Sequence, residues 1–316
     1  MKLRLVPVIL LALTHFTSAD PATEWKIDDQ RSITLTGQNG PIARFLVDPA
    51  PADPHFDILA TPDGRNLVWV GPDDHAWHYG QWYSWKMING VNFWETNKKT
   101  GATPGRTEVL DPAITHTKTS AQVRYRRLYR LPDQEDPIME DVVEITIEAP
   151  TDTLGPVVDW TITSTARTEV KLDRTPPPGE PNGKGWGGYA GLSWRGAKDF
   201  GEVVMTDSKG RSDTEIHRQH ATWVNASGSI GGKPAGLAIL DHPGNPGHPT
   251  SWYVLNRELP HGPFTYLNPA LLQPKPITLK KGDTLAQRHR IVVHDGSLKP
   301  DRLHSLWKAF SQAATP

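Results

Sequence analysis

VVEITIEAPTDTLGPVVDWTITST, residues 142–165, is the stretch that decides the fold class. Val143, Ile145 and Ile147 alternate with Glu144, Thr146 and Glu148, and the alternation resumes from Val157 to Thr165 after the Gly155-Pro156 break. A period of two with one polar face marks strands of an antiparallel sheet that is solvated on one side. Moving upstream, Val123, Tyr125, Arg127 and Tyr129 alternate with Arg124, Arg126 and Arg130, which reads as a half-exposed strand with basic residues outward. Earlier still, residues 32–36, 43–47, 56–60 and 67–70 are short apolar or alternating runs bounded by Gly, Pro, Asn or Asp. Downstream, 189–194 ends in Arg195, and 221–224, 236–240, 251–255 and 287–294 supply further strands. Helical spacing is convincing only at the end, where Leu303, Leu306, Trp307 and Phe310 follow the start signal Pro300-Asp301. The expectation is an all-β antiparallel sandwich with one C-terminal helix. No internal repeat supports a propeller or a solenoid.

Lys2 and Arg4, the apolar run 5–13 and Thr17-Ser18-Ala19 have the order of a secretory signal peptide, with cleavage expected after Ala19. Residues 20–316 are then expected to be a single exported domain, in the periplasm or outside the cell. No run approaches the roughly 20 apolar residues of a membrane-spanning helix, so no membrane partner is expected. With 0 cysteines, neither disulfides nor thiolate chemistry is available, and the core must hold the fold. The formal charge of −1 becomes −3 when Lys2 and Arg4 leave, which disfavours nucleic acid as a partner. Tryptophan stands out, at 12 against 7 each of Tyr and Phe. Flat aromatic faces stack on the C–H surface of sugar rings, although Trp also fills layers between sheets.

Residues 73–94, DDHAWHYGQWYSWKMINGVNFW, combine two histidines, two aspartates and four tryptophans. A solvated loop seldom holds that much aromatic surface, and a core strand seldom that much titratable chemistry. The stretch therefore reads as the wall of a ligand pocket. Three segments share its character. The loop 240–252 carries Asp241, His242, Asn245, His248 and Trp252 among three prolines that restrict its backbone. The strand 287–294 carries Arg290 and His294, and the strand at 189–195 places Tyr189 and Arg195 on one face. Residues 173–188, rich in Pro and Gly, read as a long loop: a lid, a site wall or an insertion without a role. His75, His78, His242, His248 and His294 with Asp74 and Asp241 are metal-donor types, but no HExxH helix organises them, and neither a metal nor a cofactor is expected. Acid/base chemistry needs a histidine and a carboxylate, for which Asp74, Glu95, Asp241 and Asp295 are available. A Gly-x-Ser-x-Gly elbow and a phosphate-cradling loop are both missing.

Taken together, Asp74-His75 with His78 and Gly80, Asn89 to Trp94, Leu240 to Pro246 through Trp252, and Arg290 to Gly296 resemble the bacterial PmoA-like family of exported proteins, a domain of unknown function. That resemblance implies a β-supersandwich similar to galactose mutarotases, with a concave sheet that holds a sugar. Two departures stand out. Ala76 and Trp77-His78-Tyr79 occupy the place of the family's Pro and its His-His-Arg run. The mutarotases' late glutamate base has no counterpart in the matching motifs, because after Glu215 only Glu258 remains.

The reading that follows is a galactose-mutarotase-like, carbohydrate-active protein, a glycoside hydrolase or lyase. His78 and His242 are expected as acid/base groups, with Asp74 and Asp241 orienting them. His75, Trp82, Trp94, Arg195, Asn245, His248, Trp252, Arg290 and His294 are expected to bind the sugar. The alternatives are a non-catalytic sugar-binding protein and a His/Asp metal-dependent oxidoreductase. The residue pattern specifies neither the sugar, nor the linkage, nor the oligomeric state.

Overall fold

The computed structural model describes residues 23–313 except 98, 152–153, 260–261 and 297, so the expected signal peptide lies outside the described residues. Two eight-stranded sheets form the body. The first runs in the order Glu24–Asp28, Ser32–Gly37, Gly40–Leu46, His55–Leu59, Gln81–Ser84, Gly191–Arg195, Gly262–Pro269 and Trp252–Leu259. The second runs Gly201–Asp207, Trp223–Ile230, Lys233–Asp241, Thr284–His294, Leu154–Ala166, Met139–Glu148, Ser120–Arg130 and Arg106–His116. A small third sheet joins Ile277–Leu279, Val170–Asp173, Met87–Ile88 and Val91–Asn92. Neighbouring strands pair antiparallel throughout. The protein is an all-β antiparallel sandwich with, among the described residues, one α-helix, Pro300–Gln312, at the C-terminal end.

The two alternating runs that decide the fold class are neighbours in the second sheet, with Ile145 opposite Trp160 and Val143 opposite Ile162. Their apolar faces point into the core shared with the first sheet. There Trp160 meets Phe45 and Phe56 at ring-centroid separations of 5.7 and 5.9 Å, so residues far apart in sequence close the sandwich. Gly155-Pro156 does not end a strand. It lies inside Leu154–Ala166, where pairing with Thr284–His294 skips register between Leu154 and Val157, as a proline without an N–H requires.

Three details depart from expectation. Residues 67–70 form only isolated bridges, Val68 with Gly196 and Val70 with Tyr79. The Asn66 side chain takes the backbone N–H of Leu59 at 3.0 Å, in place of a regular ladder. Arg127 belongs to the inward set of its strand, pairs with Asp53 and donates to the Tyr83 carbonyl at 3.1 Å. Finally, Arg106–His116 is a long edge strand in which Ile114 alone is buried, so it carries no alternation to read. No helix among the described residues is long and apolar enough to cross a membrane.

Candidate functional site

Two strands of the first sheet and three loop segments enclose a cavity of about 290 Å³. Strand alternation builds its floor. On Trp252–Leu259, side chains at 253, 255 and 257 share one face, and cross-strand pairing sets Leu255 against Tyr266 and Arg257 against Phe264 of the adjacent Gly262–Pro269. Tyr253, Leu255, Arg257, Phe264 and Tyr266 all line the cavity. The 73–79 loop contributes His75, Trp77 and His78, and the Pro/Gly loop contributes Trp186. That loop is a wall, tied down where Tyr253 Oη donates to the Trp186 carbonyl at 3.0 Å and Arg218 donates to Gly185 O at 3.1 Å. Two of its glycines are sterically required: a Cβ on Gly183 would sit 2.3 Å from the Pro177 carbonyl oxygen, and one on Gly187 2.2 Å from that of Pro176.

Below the cavity lies a second aromatic layer. Trp82 and Trp94 are buried, with rings 5.5 Å apart, and Trp94 packs 5.2 Å from Tyr189. They support the lining residues without forming the surface, whereas Trp77, Trp186, Tyr253 and Phe264 line the cavity.

Two polar constellations face the cavity. In the first, Asp74 Oδ2 accepts a hydrogen bond from His75 Nδ1 at 2.9 Å, and Arg195 Nη2 lies 3.3 Å from the same carboxylate. An ionised carboxylate only accepts, so Nδ1 carries the proton and the lone pair of a neutral imidazole sits on Nε2. Burial favours lowering the His75 pKa from its ordinary value, and the bond to Asp74 offsets this only in part. His78 is 4.6 Å from His75 between ring centroids and stacks on Tyr266 at 5.2 Å. Burial first, then the neighbouring His75, Arg195 and Lys86, push it well below the ordinary histidine value, and its Nδ1 is buried with no protein partner.

Glu95 is the centre of the second constellation. It pairs with the buried Lys86, accepts from Tyr189 Oη at 3.2 Å and accepts from Asn92 Nδ2. Burial would raise its pKa, but Lys86 and these donors hold it below the usual carboxylate value. Burial likewise pushes the Tyr189 hydroxyl well above 10, with Glu95 adding to the effect. The cavity therefore presents both neutral imidazoles and an ionised, clamped carboxylate.

Asp74, His75, His78, Trp82, Trp94 and Arg195 are thus brought together, as the 73–94 stretch suggests. The Asp-His-Pro loop is not part of this cavity. The Asp241 carboxylate accepts from Asn245 Nδ2 and His248 Nδ1, each at 2.7 Å, and from the Thr250 N–H at 2.9 Å, while its backbone carbonyl accepts from Trp307 Nε1 of the C-terminal helix. His242 Nε2 is 3.1 Å from Arg288, and its ring packs against Phe310. Asp241, His242, Asn245 and His248 bind strand to loop to helix on the second sheet, away from His78 and its cavity. Trp252 points the other way from Tyr253, into the core, where its Nε1 donates to the Ala221 carbonyl at 2.9 Å. Arg290 makes a two-pronged pair with Asp159 at 2.6 and 2.7 Å. His294 is buried against Asn225 at 2.8 Å. Its ring occupies the space over Gly236, where a Cβ would lie 2.1 Å from its Cε1. Among the described residues, no group of three or more His, Cys, Asp or Glu is arranged to hold a metal ion.

Sequence reasoning misses Lys86, Trp77, Leu255, Arg257, Phe264 and Tyr266. The signal for the last four was the paired alternation across the hairpin 252–269, visible only once the two strands are known to pair.

A family model described as a family of unknown function, DUF6807, matches residues 32–308. The chain belongs to that family. The DUF6807 match spans both eight-stranded sheets apart from the edge strand Glu24–Asp28, and most of the C-terminal helix, and the model carries a different label from the PmoA-like one suggested by the motifs. No curated protein matches the sequence. Among solved structures, this DUF6807 chain is similar to a galactose mutarotase-like protein from Lactobacillus casei, with 7% identity over 86% of this chain and 100% of that one, at a TM-score of 0.42. It is also similar to the GH36 alpha-galactosidase AgaB from Geobacillus stearothermophilus, with 7% identity, 86% and 41% coverage and a TM-score of 0.46. A third is heparan sulfate lyase HepC from Pedobacter heparinus, with 9% identity, 85% and 34% coverage and a TM-score of 0.39. The chain thus spans about a third of the lyase's length.

Proposed function

We propose that this protein is an exported carbohydrate-active enzyme, a glycoside hydrolase or lyase, that holds a sugar ring in the aromatic cavity and moves protons through His75. The observation that carries the reading is the pair formed by Asp74 and His75 at the wall of a cavity that Glu95 also lines. Both reactions need the same two transfers: a proton leaves water or a ring carbon for a base, and a proton reaches the glycosidic oxygen. A neutral imidazole whose Nδ1 is fixed by a carboxylate is suited to the first transfer, and in its protonated form to the second. Asp74 orients His75, and Arg195 holds Asp74. His78 adds a second neutral imidazole. Glu95, kept ionised by Lys86, accepts hydrogen bonds from sugar hydroxyls, and Trp77, Trp186 and Tyr253 offer faces for the ring.

A second reading, a non-catalytic sugar-binding protein, is favoured by one feature. Lys86, Tyr189 and Asn92 already engage the Glu95 carboxylate, which suits holding hydroxyls better than attacking a bond. A product assay over a panel of plant and marine glycans separates the two. Turnover that drops by about 10²-fold or more in His75→Ala supports the enzyme, on the usual scale of general acid–base catalysis. Binding without turnover, unchanged by His75→Ala, supports the binding protein. If no glycan is bound or cleaved, both readings fail.

A further inference from the structure

The charges around the cavity do not cancel, and the remainder points to a class of sugar. Each acidic side chain at the site has its own cation: Lys86 pairs with Glu95, and Arg195 lies 3.3 Å from Asp74. His75 and His78 are both kept neutral by burial, so neither adds charge at pH 7. Arg257 remains. It lines the cavity at its exposed rim, and among the described residues no carboxylate pairs with it. Its guanidinium lies 5.8 Å from the Phe264 ring centroid, the cross-strand neighbour whose ring is also a cavity wall. Arg218, engaged by the Gly185 and Gly187 carbonyls behind Trp186, adds a second positive charge beside that wall.

We infer that the cavity takes a saccharide bearing an anionic substituent, a uronate carboxylate or a sulfate ester, and that Arg257 is the residue that selects it. This rests on the cavity being a sugar site. Guanidinium is planar and offers two parallel N–H donors, which matches the two oxygens of a carboxylate or of a sulfate edge. Aromatic faces hold the ring of any hexose, acidic or neutral. The uncompensated cation at the rim distinguishes the two.

Calorimetric titration of the full chain with three size-matched probes tests this: a neutral galactose trisaccharide, its galacturonate counterpart and a sulfated counterpart. The acidic probes are expected to bind at least about ten-fold tighter than the neutral one, and the advantage should shrink as salt is raised. Whether carboxylate or sulfate binds better assigns the source of the anion. Arg257→Ala, an exposed position checked for an unchanged melting temperature, should abolish the preference for the acidic probes. Arg257→Lys should restore part of it, because the charge returns without the fork. Equal binding of neutral and acidic probes, or a preference that survives Arg257→Ala, overturns the role of Arg257 and leaves the sugar site standing. Failure of all three probes to bind overturns the inference together with the sugar-site reading.

Discussion

His75 shows how a single residue's role depends on its neighbours. As a proton acceptor it works only in its neutral form. Burial lowers its pKa below the ordinary 6.5, against the pull of Asp74. The acid limb of kcat/KM against pH should therefore have its midpoint below 6.5, with activity lost as pH falls through it. Asp74→Ala removes the group that raises the pKa, so the limb should move further to the acid side while the rate drops. A limb at or above 6.5, or one unmoved by Asp74→Ala, would remove His75 from the chemistry. Sequence reading places Asp74, His75 and His78 together because they lie within five residues. It assigns the leading role to His78, whereas the hydrogen-bonded imidazole is His75. A contact between adjacent residues depends on the turn that Pro72, His75 and His78 make through their backbones, and spacing alone does not specify that turn.

Among the elements, the 241–250 loop matters most for its rigidity. Three donors converge on the fully buried Asp241 carboxylate, and the adjoining carbonyl receives Trp307 from the helix Pro300–Gln312. Asp241→Ala leaves those buried donors unpaired and should destabilise the fold by about 2–4 kcal/mol. Sugar affinity measured well below the melting temperature should not change. Lost affinity with an unchanged melting temperature would instead return this loop to the binding site. The loop's composition, with its histidines, asparagine and prolines, is what a catalytic loop would also show. Only its position under the terminal helix distinguishes the two. The hairpin 252–269 is the opposite case: Trp252 attracts notice by its type, yet Tyr253, Leu255 and Arg257 reach the cavity because they occupy the other face of the strand.

Across the whole molecule, the two sheets are joined by polar as well as apolar contacts. Arg127 of the second sheet is buried, pairs with Asp53 and donates to the backbone of Tyr83 in the first. Nearby, Gln287 donates to Tyr83 Oη at 2.8 Å, and Asp141 accepts from Tyr129 and Ser164. Arg127→Met strands Asp53 without its cation and should cost about 3–5 kcal/mol, read as a lower denaturation midpoint. Because one apolar cluster draws on both sheets, wild type and variant should each unfold in a single cooperative transition. Two separate transitions would mean that the sheets belong to independent units. By itself the sequence determined the fold class, the terminal helix and one wall of the cavity. Hydrophobic alternation is a local property of the strand that carries it, and residues 73–94 concentrate their chemistry within a single stretch. The tertiary structure alone decided which strands pair, which face of the hairpin 252–269 meets the Asp74–His75 pair, and that Asp241 serves the helix. Those outcomes depend on register and on contacts between residues on different elements, which no short-range pattern encodes.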